Sequence, residues 1–163
     1  MAKGKDKPAD DRTIENRKAR FDYEILETLE AGIALRGSEV KSVRQGHVSL
    51  AEGWVRPQGS PPQLLLYGVN IGEYGPGGPL GSMGQHKPTR TRTLLAHKRE
   101  IAKLARQVAE KGLTIVPLKM YFKNGYAKVL IGLARGKTQH DKRDSIAKRE
   151  AKRDIDRAMS RKR

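Results

Sequence analysis

Asn124-Gly125, set between two runs rich in β-branched and aromatic residues, restricts the fold of this chain more than any other local feature. A type I′ turn needs positive φ at both central positions, which Asn-Gly supplies, and it twists in the sense of the strands it joins. Leu113 to Lys123 and Tyr126 to Leu133 are therefore the two arms of an antiparallel hairpin. With Asn124 and Gly125 as the loop, residue 123 pairs with 126, 121 with 128 and 119 with 130. Alternation then puts Lys119, Tyr121, Lys123, Tyr126 and Lys128 on one face and Leu118, Met120, Phe122, Val129 and Ile131 on the other. The second face is a core. The first interleaves three ammonium groups with two tyrosines, which suits phosphate contacts and stacking on bases or riboses, although an ordinary solvated face is equally open at this point.

The rest of the chain supplies partners for the hairpin. Phe21, Tyr23, Ile25 and Leu29 alternate with Asp22, Glu24, Thr28 and Glu30, the pattern of a half-buried strand. Ala31-Gly32 permits a bend, after which Ile33 and Leu35 continue the extended chain. Ser38 as N-cap and Glu39 in the first turn predict a short helix that Gly46 closes. Trp54-Val55 and Leu64 to Ile71 are further strands, separated by a turn at Pro57 to Pro62. Leu94, Ile101, Leu104, Ala105 and Val108 make an apolar stripe that predicts a helix over Thr93 to Lys111, ended by Gly112.

Several short strands with two inserted helices predict a mainly β fold, a small antiparallel barrel of the OB-like kind with two or three short helices, spanning residues 16–136. Residues 1–15 have almost nothing apolar and are expected to be disordered. Residues 72–88 cluster Gly and Pro without apolar periodicity, which predicts a long flexible loop; neither a Walker pattern nor G-x-G-x-x-G is present to make it a phosphate cradle. Residues 137–163 carry only a thin stripe of Ala147, Ala151, Ile155, Ala158 and Met159 behind a cap at Asp144 or Ser145. That stripe buries too little to fold alone, so a disordered tail that becomes helical on docking is expected.

Charge narrows the function. The formal net charge is +16, and its distribution is uneven. Residues 1–83 hold 11 basic and 11 acidic side chains, residues 84–135 hold 12 and 2, and residues 137–163 hold 11 and 5. Two adjoining segments thus carry the whole field, which favours a polyanionic partner through counterion release. Pro88-Thr89-Arg90-Thr91-Arg92-Thr93 lies in the first of them, its two arginines placed before the predicted helix start, where backbone amides favour anions.

Other classes find no support. Cys is absent, which excludes disulfides, thiolate metal sites and a Cys nucleophile. The four histidines are scattered, with no H-E-x-x-H, no dense carboxylate cluster and no G-x-S-x-G. Met1 to Arg20 has no apolar segment of a secretory signal, and the run Leu64 to Gly72 is far shorter than the roughly 20 residues that span a bilayer. A soluble cytoplasmic protein is the expectation, with a constitutive ribosomal protein and a nuclease as rival classes.

Five blocks carry a family resemblance. Asn16-Arg17-Lys18-Ala19-Arg20, the run from Glu30-Ala31-Gly32 to Lys41-Ser42, and Pro88-Thr89-Arg90-Thr91-Arg92 are three of them. Tyr121-Phe122-Lys123-Asn124, and Gly136-Lys137 followed by His140-Asp141-Lys142-Arg143, complete the set. In this order, from about residue 16 to the C-terminus, the chain resembles the bacterial SsrA-binding protein family, small protein B. Thr138, Ala158 and Thr93 depart from the residues usual in that family.

The resemblance implies an OB-like barrel that clamps the tRNA-like domain of transfer-messenger RNA (tmRNA). It implies delivery of that RNA, with elongation factor Tu and GTP, to stalled ribosomes in trans-translation. It places the family's RNA contacts at Glu30, Asn70, Leu95 and Lys128, and its tail in the empty mRNA channel with His140 near the decoding centre. Joined to the hairpin face and the Thr-Arg segment, the expected tmRNA-binding set is Glu30, Asn70, Arg90, Arg92, Leu95, Lys119, Tyr121, Lys123 and Lys128. The expected ribosome-binding tail set is Lys137, His140, Asp141, Lys142, Arg143 and Met159. A monomer that works without catalysis, cofactor or metal is expected.

Overall fold

The computed structural model describes residues 12–78 and 84–160. In chain order the elements are β1 (Ile14–Glu15), α1 (Arg17–Asp22), β2 (Tyr23–Ile33), α2 (Gly37–Gln45), β3 (Val48–Ser49), β4 (Trp54–Gln58), β5 (Gln63–Tyr67), β6 (Asn70–Ile71), β7 (Arg92–Leu95), α3 (Lys98–Lys111), β8 (Thr114–Lys123), β9 (Tyr126–Gly136) and α4 (Gln139–Ser160).

The hairpin forms in the expected register. Asn124 has φ 52° and Gly125 φ 77°. Lys123 lies opposite Tyr126, Tyr121 opposite Lys128, and Lys119 opposite Leu130. The alternation does not run through unbroken, because a β-bulge between Pro117 and Lys119 adds Leu118 to one strand only. Met120, Phe122, Val129 and Ile131 enter the main core as expected, but Leu118 does not. It packs on the outer side with Val116, Ala134 and Ala19 in a second, smaller core.

Strand pairing runs β8-β4-β5-β7-β2-β9 and returns from β9 to β8, so six strands close into a ring. All of these pairs are antiparallel, and β1 is added outside the ring on β8. The mainly β, small-barrel expectation is met by this closure, with four α-helices among the described residues. The ring interior holds Leu64, Leu66, Leu94, Ile115, Met120 and Ile131, all nearly or wholly shielded from solvent. At roughly 25 cal/mol per Å² of apolar area, this close packing is the main source of stability.

Several local expectations need correction. The first long strand begins at Tyr23, not Phe21; Phe21 lies in α1, which Asn16 caps by accepting the Ala19 N–H at 3.0 Å. A second bulge, between Ile25 and Glu27, turns Tyr23 and Ile25 to the outer core while Leu29 faces the inner one. The N-cap of α2 is Arg36, whose N–H is bound by the Glu39 carboxylate at 2.7 Å; Ser38 instead hydrogen-bonds His86 Nδ1 at 2.9 Å. Residues 93–95 are strand rather than helix, because Leu94 pairs with both Leu64 and Ile33 inside the sheet. Helix α3 starts five residues later, with His97 as cap and Glu100 accepting the His97 N–H at 3.1 Å.

The segments expected to be loose are partly tied down. Of residues 1–15, residues 1–11 lie outside the described chain, whereas Ile14–Glu15 pair with Met120 and Lys119. Of residues 72–88, residues 79–83 lie outside it, and the far end is fastened. Gln85 Nε2 donates to the Tyr74 and Gly78 carbonyls at 3.0 and 2.9 Å, and buried His86 bridges Ser38 and the Ile71 carbonyl. The tail is a helix from Gln139 to Ser160, which starts ahead of the cap expected at Asp144 or Ser145. Thr138 Oγ1 donates to Asp141 at 2.8 Å at its start, and Lys142 meets Asp22 at 3.0 Å, which holds the first turns against α1. None of its residues is buried.

Candidate nucleic-acid interface

Glu30, Tyr121, Lys123, Lys128 and Leu95 come together at one end of the barrel. The pairing of β2 with β9 sets Gly32 opposite Lys128 and Glu30 opposite Leu130; the pairing of β2 with β7 sets Gly32 opposite Leu95. A Cβ on Gly32 would lie 3.3 Å from Leu95 Cβ, so the missing side chain leaves room for Leu95 to lie close over the strand. Around this crossing is an open hollow of about 430 Å³ lined by Glu30, Gly32, Leu95, Ala96, His97, Glu100 and Lys128.

The polar groups at its edge are mutually arranged. Tyr121 donates its hydroxyl to Glu30 Oε2, and Lys123 Nζ sits 3.3 Å from Glu30 Oε1. The Tyr121 hydrogen bond is the largest influence on the Glu30 carboxyl, and with the help of Lys123 and Lys128 it outweighs burial and holds the group below the usual range. Partial burial, reinforced by the Glu30 carboxylate, pushes the Tyr121 phenol up to about 12. Tyr121 therefore stays a neutral, oriented ring with a half-exposed face, flanked by ammonium groups. Glu30 keeps acceptor capacity for a ribose hydroxyl or an exocyclic amine. Leu95, 60 % exposed, offers an apolar seat at the edge of the hollow.

The remaining predicted residues fall elsewhere. Lys119 is on the same hairpin face but is paired with Glu15 at 2.8 Å. Asn70 lies on a separate two-stranded sheet, opposite Ser49 and exposed. Arg92 is not a surface residue. Its side chain is fully buried, with Nε on Glu39 Oε1 at 2.9 Å, Nη1 on the Val69 carbonyl at 2.9 Å and Nη2 on the Pro88 carbonyl at 2.9 Å. Arg90 is committed to the same carboxylate, with Nη2 at 2.5 Å from Glu39 Oε2. Both arginines belong to β7 and the turn before it, and α3 does not begin until Lys98, so the expected anion site at a helix N-terminus does not form. Their work is to neutralise Glu39 and tie α2 to the barrel.

In the tail, Asp141 is the capping partner of Thr138, His140 lies 3.3 Å from Asp144, and Lys137 Nζ donates to the Arg20 carbonyl at 3.2 Å. Arg143 and Met159 are exposed, Met159 to 68 %. Among the described residues no group of three or more His, Asp or Glu could hold a metal, and no helix is long and apolar enough to cross a membrane. Sequence reasoning missed His97 and Glu100 as lining of the hollow. Their signal was a His-x-x-Glu capping pattern, hidden by starting the helix at Thr93.

Comparison with known proteins identifies the family. The family model described as SmpB protein matches residues 13–161. An SsrA-binding protein of Roseiflexus sp. is 52 % identical over 159 residues, covering 98 % of this chain and 96 % of that one. Another, of Pelotomaculum thermopropionicum, is 51 % identical over 145 residues, covering 89 % of this chain and 91 % of its own length. A solved structure described as "tmRNA-SmpB: a journey to the center of the bacterial ribosome" superimposes with TM-score 0.62 at 48 % identity, covering 82 % of this chain and 94 % of that one. A family match over most of the sequence and the backbone likeness point the same way: this chain belongs to the SmpB family of SsrA-binding proteins.

Proposed function

We propose that the chain binds the tRNA-like domain of tmRNA and brings it to stalled ribosomes for trans-translation, as an RNA-binding adaptor and not as an enzyme. The observation that carries this is the convergence of Tyr121, Lys123, Lys128, Glu30 and Leu95 on one hollow, in a chain 48 % identical to one from a tmRNA–ribosome structure. An oriented neutral ring beside two ammonium groups matches a base or ribose with its phosphates, and the carboxylate can tell a 2′-hydroxyl from its absence. Asn70, on its own two-stranded sheet, and Lys119, on the hairpin face beside Glu15, are proposed as outlying contacts of the same RNA.

The α4 tail, with Lys137, His140, Asp141, Lys142, Arg143 and Met159, is proposed to enter the decoding centre and the empty mRNA channel in place of a codon–anticodon pair. Elongation factor Tu with GTP then joins through the charged tmRNA, and the protein acts as a cytoplasmic monomer.

The test separates the two halves. Lys123→Gln with Lys128→Gln is expected to weaken binding of the tRNA-like fragment and to lower the slope of log K against log salt by roughly 0.7–0.9 for each phosphate no longer neutralised. Deleting residues 137–163 is expected to leave the affinity supplied by the hollow nearly intact and abolish peptide tagging on ribosomes carrying truncated messages. Loss of tmRNA binding on tail deletion, or stoichiometric retention on salt-washed ribosomes, would contradict the assignment.

A further inference from the structure

The Arg17 to Arg20 block remains outside the hollow described above. Helix α1 presents Arg17 and Arg20, spaced i and i+3, and across a cleft of about 350 Å³ helix α4 presents Arg149, Lys152, Arg153 and Asp156, spaced i, i+3, i+4 and i+7. Five cations thus face a single carboxylate between two elements from opposite ends of the sequence. All six residues are solvent-exposed. Among the described residues Arg17, Arg20, Lys152 and Arg153 have no ion-pair partner. On the α1 side, Glu15 feels the charge of Arg17 and Arg20 but is held by Lys119 at 2.8 Å, and Asp22 is taken by Lys142 at 3.0 Å.

Two helices that set like charges against each other repel, and only a few contacts oppose the repulsion. Lys142 pairs with Asp22 at 3.0 Å, and the Arg149 guanidinium lies 5.4 Å from the centre of the Phe21 ring. The first lies toward the start of α4, and the second is made within the cleft by Arg149 itself. A multivalent anion between the walls would turn the repulsion into attraction from both sides, and guanidinium forks match the two free oxygens of a phosphodiester.

We propose that the α1–α4 cleft is a second RNA site, which takes backbone phosphodiesters of an RNA strand and thereby holds α4 against α1. It is distinct from the Tyr121–Lys128 hollow and goes beyond the assignment made for that surface. The docked position of the tail helix becomes conditional on RNA: bound strand closes the cleft, and release lets the walls part.

The experiment uses the full-length chain in two arms, the tRNA-like fragment of tmRNA and isolated small ribosomal subunits, each titrated over a range of salt. Arg17→Gln with Arg20→Gln removes one wall, and Lys152→Gln with Arg153→Gln removes the other. Arg56→Gln with Arg106→Gln removes the same charge from exposed positions off the cleft. Each wall variant is expected to lower the salt slope by about 1.5 in at least one arm, at roughly 0.7–0.9 per phosphate, while the off-cleft pair changes it by less than half as much. The arm that responds identifies the RNA that supplies the strand. Unchanged slopes for both wall variants in both arms, or an equal loss for the off-cleft pair, would overturn the proposal. Thermal melting of each variant confirms folding. Failure of the wild-type chain to bind the tRNA-like fragment counts against the proposed function, and the ribosomal arm still decides the cleft.

Discussion

Arg92 places its Nε 2.9 Å from Oε1 of Glu39, 53 positions away in the sequence, and both side chains are completely buried. Arg90 spans both oxygens, Nε at 2.8 Å from Oε1 and Nη2 at 2.5 Å from Oε2, and the Arg36 N–H adds a further donor, so one carboxylate joins α2 to β7 and to the turn before it. Removing one member of such a group leaves the others charged in the interior. Glu39→Gln is therefore expected to cost about 3–5 kcal/mol in urea unfolding, and Arg92→Lys to recover little, since an ammonium cannot also reach the Val69 and Pro88 carbonyls in the same planar geometry.

The same carboxylate governs acid stability. Burial alone would raise the Glu39 pKa, but hydrogen bonds from Arg90 and the Arg36 N–H and the charges of both arginines outweigh it, leaving it below the ordinary 4.5. A group depressed on folding stabilises the native state above its unfolded pKa and loses that contribution as pH falls through the folded one. Melting temperature is expected to drop below about pH 4.5 in the wild type, with a flatter acid limb in Glu39→Gln. An acid limb of equal steepness in the variant would assign the effect to other carboxylates.

Ultraviolet titration of the phenols tests the Tyr121–Glu30 contact directly. One tyrosine is expected to ionise late, near 12. In Glu30→Gln that late phase moves part of the way toward the ordinary value of about 10, because the carboxylate is lost while partial burial remains. Tyr121→Phe removes the phase altogether.

Asn16 fastens α1 to the barrel with both ends of its amide. Its Oδ1 accepts the Ala19 N–H, and its Nδ2 donates to the Leu50 and Pro117 carbonyls at 2.8 and 2.9 Å. Asn16→Ala is expected to destabilise by about 2–4 kcal/mol, combining a lost cap with two buried carbonyls left unpaired. Asn16→Asp keeps the cap yet turns a carboxylate toward those carbonyls, and is expected to unfold at comparable urea concentration.

Two glycines with similar backbone angles should respond very differently to alanine. Gly125 has φ 77° and open space around it, so Gly125→Ala is expected to cost about 1 kcal/mol of backbone strain. Gly68 has φ 69°, but a Cβ there would stand 2.2 Å from the Glu52 carbonyl oxygen. Gly68→Ala should cost at least twice as much in the same denaturation series.

How much of this is legible in the sequence depends on whether the signal is local. The Asn-Gly turn, the hairpin register and the shared face of Tyr121, Lys123 and Lys128 follow from backbone chemistry within a dozen residues. The two bulges do not: period-two counting through Leu118 and Leu26 assigns faces that an inserted residue reverses. Thr93 to Leu95 fit a helical stripe because Leu94 and Ile101 are both core residues, one in a strand and one in a helix. Arg90 and Arg92 look like free cations because Glu39, which neutralises them, is over fifty positions away. A basic run shows its partners only after the chain has folded.

The bulge at Leu118 has a mechanical consequence. Below it, β8 is clamped between two layers of protein; above it, one side is bare up to the Asn124-Gly125 tip. Lateral support runs almost to the tip, since Lys128 of β9 still lies opposite Gly32 of β2. A pull applied at Tyr121 or Lys128 would be carried down two strands into a doubly packed base, not spent in bending a loop.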